Sequence, residues 1–210
     1  MSTNTPIDWT ELAPQLVDAA RQDQAWYLTT ARELVTPGDR LAVDVGCGAA
    51  GMALAIARMM TCGRVVAVDA HSAVLDAARD HIRAEWSDPR VRIEPLRADI
   101  PAETAVLRET LGAPADLVWA STAVHHVGDQ QAAVTALASL LAPRHLSCQP
   151  AGSREVSNLL DWWRKSGSAA MISEVVVRGR SGNTCRPRAG PRTACAPATT
   201  AGESGSREVC

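Results

Sequence analysis

The residues with types and spacing that could do chemistry lie between Leu41 and Asp69. Within LAVDVGCGAAG, from Leu41 to Gly51, the glycines Gly46, Gly48 and Gly51 satisfy G-x-G-x-x-G. Missing side chains there let backbone approach a ligand and let a following helix pack closely on a strand. Asp44 stands two positions before the first glycine, inside the apolar run Leu41, Ala42, Val43 and Val45. A carboxylate in such a strand is costly to bury unless backbone donors or a cationic ligand compensate it. Asp69 follows Gly51 by 18 residues, a spacing that lets a carboxylate accept a hydrogen bond from each of two ribose hydroxyls. A helix cap or a solvated loop position are the plainer readings of Asp69. Together these residues predict a site for a ribose-bearing molecule that carries positive charge.

S-adenosyl-L-methionine (SAM), with its ammonium and sulfonium groups, is such a molecule. The run V-D-V-G-C-G-A-A-G resembles the first motif of the class I SAM-dependent methyltransferases of the small-molecule type. The resemblance extends from about Ala31 to Pro143. It implies SAM as cofactor, a small-molecule methyl acceptor and no metal. It also implies a cofactor site made of Asp44, Gly46, Cys47, Gly48, Gly51, Asp69, Ala70, Asp99, Ile100 and Ala120. In that family an acidic residue at the place of Asp99, in R-A-D-I, accepts from the adenine amino group, and the next residue, Ile100, packs on the ring. Asp99 also has the position to cap a helix begun near Pro101. Ala120, Ser121 and Thr122 would lie beneath the transferable methyl. His125 and His126, in V-H-H-V, are the candidate catalytic residues, because imidazole titrates near neutrality and can take a proton from an acceptor; packing below the site is the alternative. Trp26 and Tyr27 fall where relatives fold a helix over the cofactor, and core packing also accounts for them. Cys47 has no adjacent base and reads as a small turn residue.

The elements needed to position these residues alternate along the chain. Trp9 to Leu34 is helical in character, with Leu12, Leu16, Ala19 and Ala20 on one face, and Pro37-Gly38 breaks it. The strand Leu41–Val45 leads through the glycines into an Ala/Leu/Met-rich helix, Met52 to Met60, which Gly63 ends. Arg64 to Val68 makes a second strand. Ser72 to Trp86 makes a helix with Val74, Leu75, Ala78 and Ile82 at helical spacing and Ser72 as N-cap. Val91, Ile93 and Leu96 mark a third strand, followed by a helix from Pro101 through Leu111. DLVWAS, Asp116 to Ser121, is the fourth strand, and Asp129 to Leu141 is a helix capped by Asp129. Strands alternating with helices at this pitch predict an α/β fold, a doubly wound, Rossmann-like parallel sheet with ligands at the carboxyl ends of its strands.

At 210 residues the chain fits one domain with an extension. The organisation reads as an N-terminal helical segment over 1–35, a SAM-binding domain over 36–143 and an atypical basic tail over 144–210. Met1 to Pro143 carries 11 basic and 18 acidic residues, whereas Arg144 to Cys210 carries 10 and 5. The net charge of −2 points to neither nucleic acid nor an anionic membrane as partner. The opening residues lack a basic flank with an apolar run, and no segment has the roughly 20 apolar residues of a membrane span; cytoplasm is the default. The cysteines form no C-x-x-C pair, which speaks against zinc. After Pro143 the family's L-x-P-G-G is missing, since Arg144-His145 follows, and no convincing strand comes next. Ser153 to Met171 is a possible helix and Glu174 to Val177 a possible strand. From Arg178 onward the composition predicts disorder, and the C-terminal strands of the sheet read as incomplete. A reading-frame shift in a GC-rich gene and a divergent tail both account for the break. The alternatives to a methyltransferase are a non-catalytic remnant of the same fold and an NAD(P)-binding oxidoreductase, the latter disfavoured by Asp44 and by the lack of a Tyr-x-x-x-Lys pair.

Overall fold

The computed structural model describes residues 9–121 and 128–141, with the backbone alone at 146–148 and 174–179. Four short strands rich in β-branched and small apolar residues form its centre: β1 (Leu41–Val45), β2 (Gly63–Asp69), β3 (Val91–Arg97) and β4 (Leu117–Ser121). They pair in parallel in the order β3-β2-β1-β4. Helix α3 (Gly51–Met59) connects β1 to β2, α4 (Ser72–Glu85) connects β2 to β3, and α5 (Thr104–Leu111) connects β3 to β4. The chain thus steps outward from β1 to β3, then returns across β1 to lay down β4. The reversal falls between β1 and β4, and in open α/β sheets ligands bind outside the strand carboxyl ends at such a reversal.

Side-chain alternation along the strands divides the core in two. Leu41, Val43 and Val45 of β1, Val66 and Val68 of β2 and Val118 and Ala120 of β4 pack with Leu107 and Leu111 of α5. They also meet Val134 and Leu137 of α6 (Gln130–Ala138). Ala42, Val65, Ala67, Leu117 and Trp119 face the other way, against α3, α4 and the helix Gln24–Leu34. Strands buried on both faces are what an all-parallel arrangement requires, and the apolar runs of the sequence express it.

Several local expectations are refined. The single N-terminal helical segment is two helices, α1 (Trp9–Gln22) and α2 (Gln24–Leu34). They divide at Asp23, whose φ of −87° and ψ of 6° leave the helical basin, as a short polar side chain readily does. Gly63 opens β2 rather than ending α3. Its φ is +126°, and a Cβ there would lie 2.1 Å from the Arg40 carbonyl oxygen. The glycine is therefore needed for a close approach of two backbones. Ser72 is the first residue of α4 and not its N-cap, which is His71 with no side-chain cap bond. Asp129 does cap α6, accepting from the Ala132 amide at 2.9 Å. Pro101 precedes α5, which starts at Thr104. Pro95 lies within β3, the outer strand of the sheet on that side, opposite Ala67.

Beyond Pro143, β5 (Leu146–Cys148) and β6 (Glu174–Gly179) extend the sheet to β3-β2-β1-β4-β6-β5. The strand expected at Glu174 is present, running antiparallel to β4 with Trp119 opposite Val176. The expectation of no strand directly after Pro143 does not hold for Leu146–Cys148, which pairs antiparallel with β6. The possible helix at 153–171 and the segment after 179 lie outside the described residues. Among the described residues no helix is long and apolar enough to cross a membrane.

Candidate functional site

The carboxyl end of β1 carries Asp44 into the layer of α2, α3 and α4, because alternation places it on the same face as Ala42. It is 2% exposed. The backbone amide of Ala53, in the first turn of α3, donates to its carboxylate. That amide is one of the donors a helix start leaves without an intrahelical partner. The second carboxylate oxygen, Oδ2, is buried and has no hydrogen-bond partner. Burial pushes the Asp44 pKa up to about 7; the Ala53 amide works against this and the negative Asp69 adds to it. Tyr27 of α2 is pushed up in turn by burial and by the charges of Asp44 and Asp23.

The turn after β1 uses its glycines for two different purposes. Gly46 and Gly48 adopt φ of 68° and 53°, the left-handed region that a side chain disfavours. A Cβ on Gly48 would meet nothing within 4 Å, so open space lies beside that backbone. Gly51 opens α3, and a Cβ there would lie 2.7 Å from Tyr27 Cε2 and 3.1 Å from Ala20 Cβ. Its bareness lets α1 and α2 pack on the helix start. Cys47 is buried with a free thiol, and burial together with Asp44 and Asp69 holds that thiol well above its usual range. It lies within the turn after β1.

Asp69 ends β2 and is 12% exposed in its side chain. Its Oδ2 accepts from the Gly48 amide at 3.3 Å and its Oδ1 from the His71 amide at 3.0 Å. Oδ1 also lies 3.4 Å from His71 Nδ1; each carboxylate oxygen has two acceptor positions, so Oδ2 keeps one for a further donor. Trp9 of α1 packs on the His71 ring at 5.0 Å between centroids. Ala70 follows, half-buried.

Asp99 is exposed just past β3. Its amide donates to Glu103 Oε2 at 2.7 Å and its carbonyl accepts from the Glu103 amide. The helix-capping role expected of Asp99 is not seen: the N-cap of α5 is Glu103, without a side-chain cap bond. Among the described residues the Asp99 carboxylate accepts no hydrogen bond. Ile100 is buried in the α5/α6 core, as is Ala120 on β4, which pairs with Val45. The structure therefore gathers Asp44, Gly46, Cys47, Gly48, Asp69 and Ala120 around the ends of β1, β2 and β4. Asp99 and Ile100 stand past the end of the outer strand β3. Thr122, His125 and His126 lie outside the described residues.

Three contacts went unforeseen in the sequence. His81 of α4 is buried, its Nδ1 2.7 Å from the Ala49 carbonyl oxygen within the glycine turn. Trp26, 43% exposed, packs against Tyr27 at 5.1 Å and against Trp119 at 6.2 Å between centroids.

A strand ending in a buried acid, a left-handed glycine turn, and a second acid at the next strand's end are now joined by an independent match. Residues 43–144 match the family described as a methyltransferase domain. Over those residues the chain is similar to a methyltransferase domain. The chain matches no curated protein. Solved structures similar to this chain include the complex of the Trm112 methyltransferase activator of Haloferax volcanii with a methyltransferase. That match has 18% identity, covers 68% of this chain and 59% of the other, and has a TM-score of 0.49. An O-methyltransferase family protein of Burkholderia thailandensis is 21% identical over 64% of this chain and 39% of its own, with a TM-score of 0.49. A SAM-dependent methyltransferase of Thiobacillus denitrificans, in complex with S-adenosyl-L-homocysteine, is 19% identical over 56% and 44%, with a TM-score of 0.42. The chain thus spans about half the length of these structures.

Proposed function

We propose that the chain binds SAM at the turn between β1 and α3 and transfers its methyl group to a small molecule. The observation that carries the reading is the Asp44 carboxylate, buried with one oxygen unpartnered beside left-handed backbone at Gly46 and Gly48. An unpartnered buried carboxylate is costly, and a cationic ligand group would relieve it. SAM, when bound, supplies an already activated methyl on its sulfonium. Asp44, Gly46, Cys47 and Gly48 would hold its amino-acid end, Asp69 and Ala70 the ribose, Asp99 and Ile100 the adenine, and Ala120 the floor beneath the methyl. The chain's own work is then alignment and exclusion of water, since approach of an acceptor in line is what such a transfer needs. His125 or His126 would take the proton of an acceptor that carries one.

A small molecule as acceptor follows from the V-D-V-G-C-G-type motif and from the absence of a basic surplus in the domain, and a cytoplasmic location fits both. The family match ends at residue 144, directly after Pro143, where the motif-based likeness also stops. This favours a second reading, in which the cofactor half is intact and turnover is reduced because the acceptor side is altered. Isothermal titration of the full chain with S-adenosyl-L-homocysteine and with NAD tests the first step. Binding of the former and not the latter supports the reading; the reverse result makes the protein an NAD(P)-binding oxidoreductase. Transfer from labelled SAM to a panel of small acceptors then separates an active enzyme from a binding remnant.

A further inference from the structure

We propose that His81 is a positioning residue for the cofactor turn: from α4 it grips the Ala49 carbonyl and so fixes the backbone that faces the ligand. The inference rests on the turn being the cofactor cradle. A carbonyl oxygen only accepts, so the contact of 2.7 Å between His81 Nδ1 and Ala49 O means that Nδ1 carries the hydrogen.

Ala49 sits at the tightest part of the turn, between Gly48 with φ of 53° and Ala50 with φ of 63°. Ala50 has a Cβ, and a left-handed conformation is strained for it. Something must hold that conformation. The Ala50 amide donates to the Cys47 carbonyl at 2.8 Å, and the Cys47 amide donates to the Val68 carbonyl at 3.0 Å. Asp69 receives the Gly48 amide. These bonds secure the first half of the turn to itself and to β2. His81 secures the second half to α4, the helix that follows β2. The cradle is thus held from two successive elements.

Among the described residues, the hydrogen bond that the His81 ring makes is the one to Ala49. His81 lies on the buried stripe of α4 with Val74, Leu75 and Ala78. A leucine would fill such a stripe without a polar atom to satisfy. An imidazole there makes physical sense where its donor is needed. Without that donor the Ala49 carbonyl is left unsatisfied and the strained Ala50 peptide can relax, so that binding must re-form the turn. A site populated only in part binds more weakly in proportion.

The test uses the full chain and titration with S-adenosyl-L-homocysteine. The unsubstituted protein comes first: no binding at all overturns both the cofactor reading and this inference. Given binding, His81→Leu is expected to weaken it by about tenfold, the scale of one hydrogen bond left unmade. In His81→Asn the amide nitrogen takes the place of Nδ1, and affinity should stay within about threefold of the parent. Parent affinity in His81→Leu overturns the inference, as does an Asn variant as weak as the Leu variant, which would reduce His81 to packing. If His81→Leu does not fold, His81→Gln replaces it, since its donor is displaced by one methylene. Equal affinity of the Asn and Gln variants then overturns the proposal.

Discussion

Asp69 holds the Gly48 amide at 3.3 Å on Oδ2, and that oxygen keeps a second acceptor position. One residue therefore shapes the turn and would receive the ribose. Asp69→Ala should weaken S-adenosyl-L-homocysteine binding by at least about tenfold, since a charge-assisted bond is worth about 1.5–3 kcal/mol. Titration calorimetry reads this directly, and unchanged affinity would remove Asp69 from the site. Asp44 gives a second prediction, in the ligand-free protein. Its pKa rises from 3.8 to about 7 on folding, so between those values the native state holds a proton that the unfolded chain has lost. Stability then falls as pH rises from about 4 to about 7, by up to about 4 kcal/mol, and levels off above. Urea denaturation at pH 5 and pH 8 should show the fall, and Asp44→Asn should flatten it. A parent protein more stable at pH 8 than at pH 5 would contradict the assignment. The positions of Asp44, Asp69 and the glycines were legible in the sequence because they are set locally, at or just past the end of a strand. His81 was not, because its partner Ala49 lies 32 residues away. The signal was nonetheless there. Position 81 lies two helical turns beyond Val74, on the buried stripe, where helical spacing alone points as readily to the neighbouring Ile82.

The elements themselves were readable to within a few residues, since buried parallel strands announce themselves as short apolar runs. Their boundaries followed backbone geometry that residue types express only weakly. Gly63 illustrates this. In sequence it reads as a helix stop, yet in the structure it opens β2 with Arg40 backbone against it. Gly63→Ala should therefore cost about 3 kcal/mol or more, from the left-handed strain and the forced separation of two backbones. Gly112 is a built-in control. Its φ is +65°, and a Cβ placed there would meet nothing within 4 Å, so Gly112→Ala should cost only about 1 kcal/mol. Chemical denaturation of both variants decides the point, and equal losses would mean that the β1–β2 approach is not what Gly63 serves. The capping role read for Asp99 failed for a related reason. Glu103 is near enough to take the Asp99 amide with its own carboxylate, a reciprocal contact that spacing alone does not reveal.

For the whole molecule, the doubly wound sheet was legible from the alternation of strands and helices. The far side of β4 was not. A parallel sheet that stops at β4 would leave its edge open, and here β6 covers that edge in the antiparallel sense. Which strand fills such a place depends on pairing between distant segments, and this leaves little trace in local composition. The opposite border of the sheet has a consequence for how molecules meet one another. Among the described residues β3 pairs on one side only, with β2, and such a border is a template on which a second chain can add its own strand. Pro95 in the middle of β3 lacks a donor for that pairing, and Arg92, Glu94 and Arg97 surround it with charge. This combination keeps sheet borders from joining. Pro95→Val should leave the fold in place yet raise the tendency to associate with concentration, seen as a growing apparent mass in light scattering; a variant that stays monodisperse wherever the parent does would show that solubility is secured elsewhere. A single proline on the outermost strand would then set how concentrated this protein can become before its sheets begin to join edge to edge.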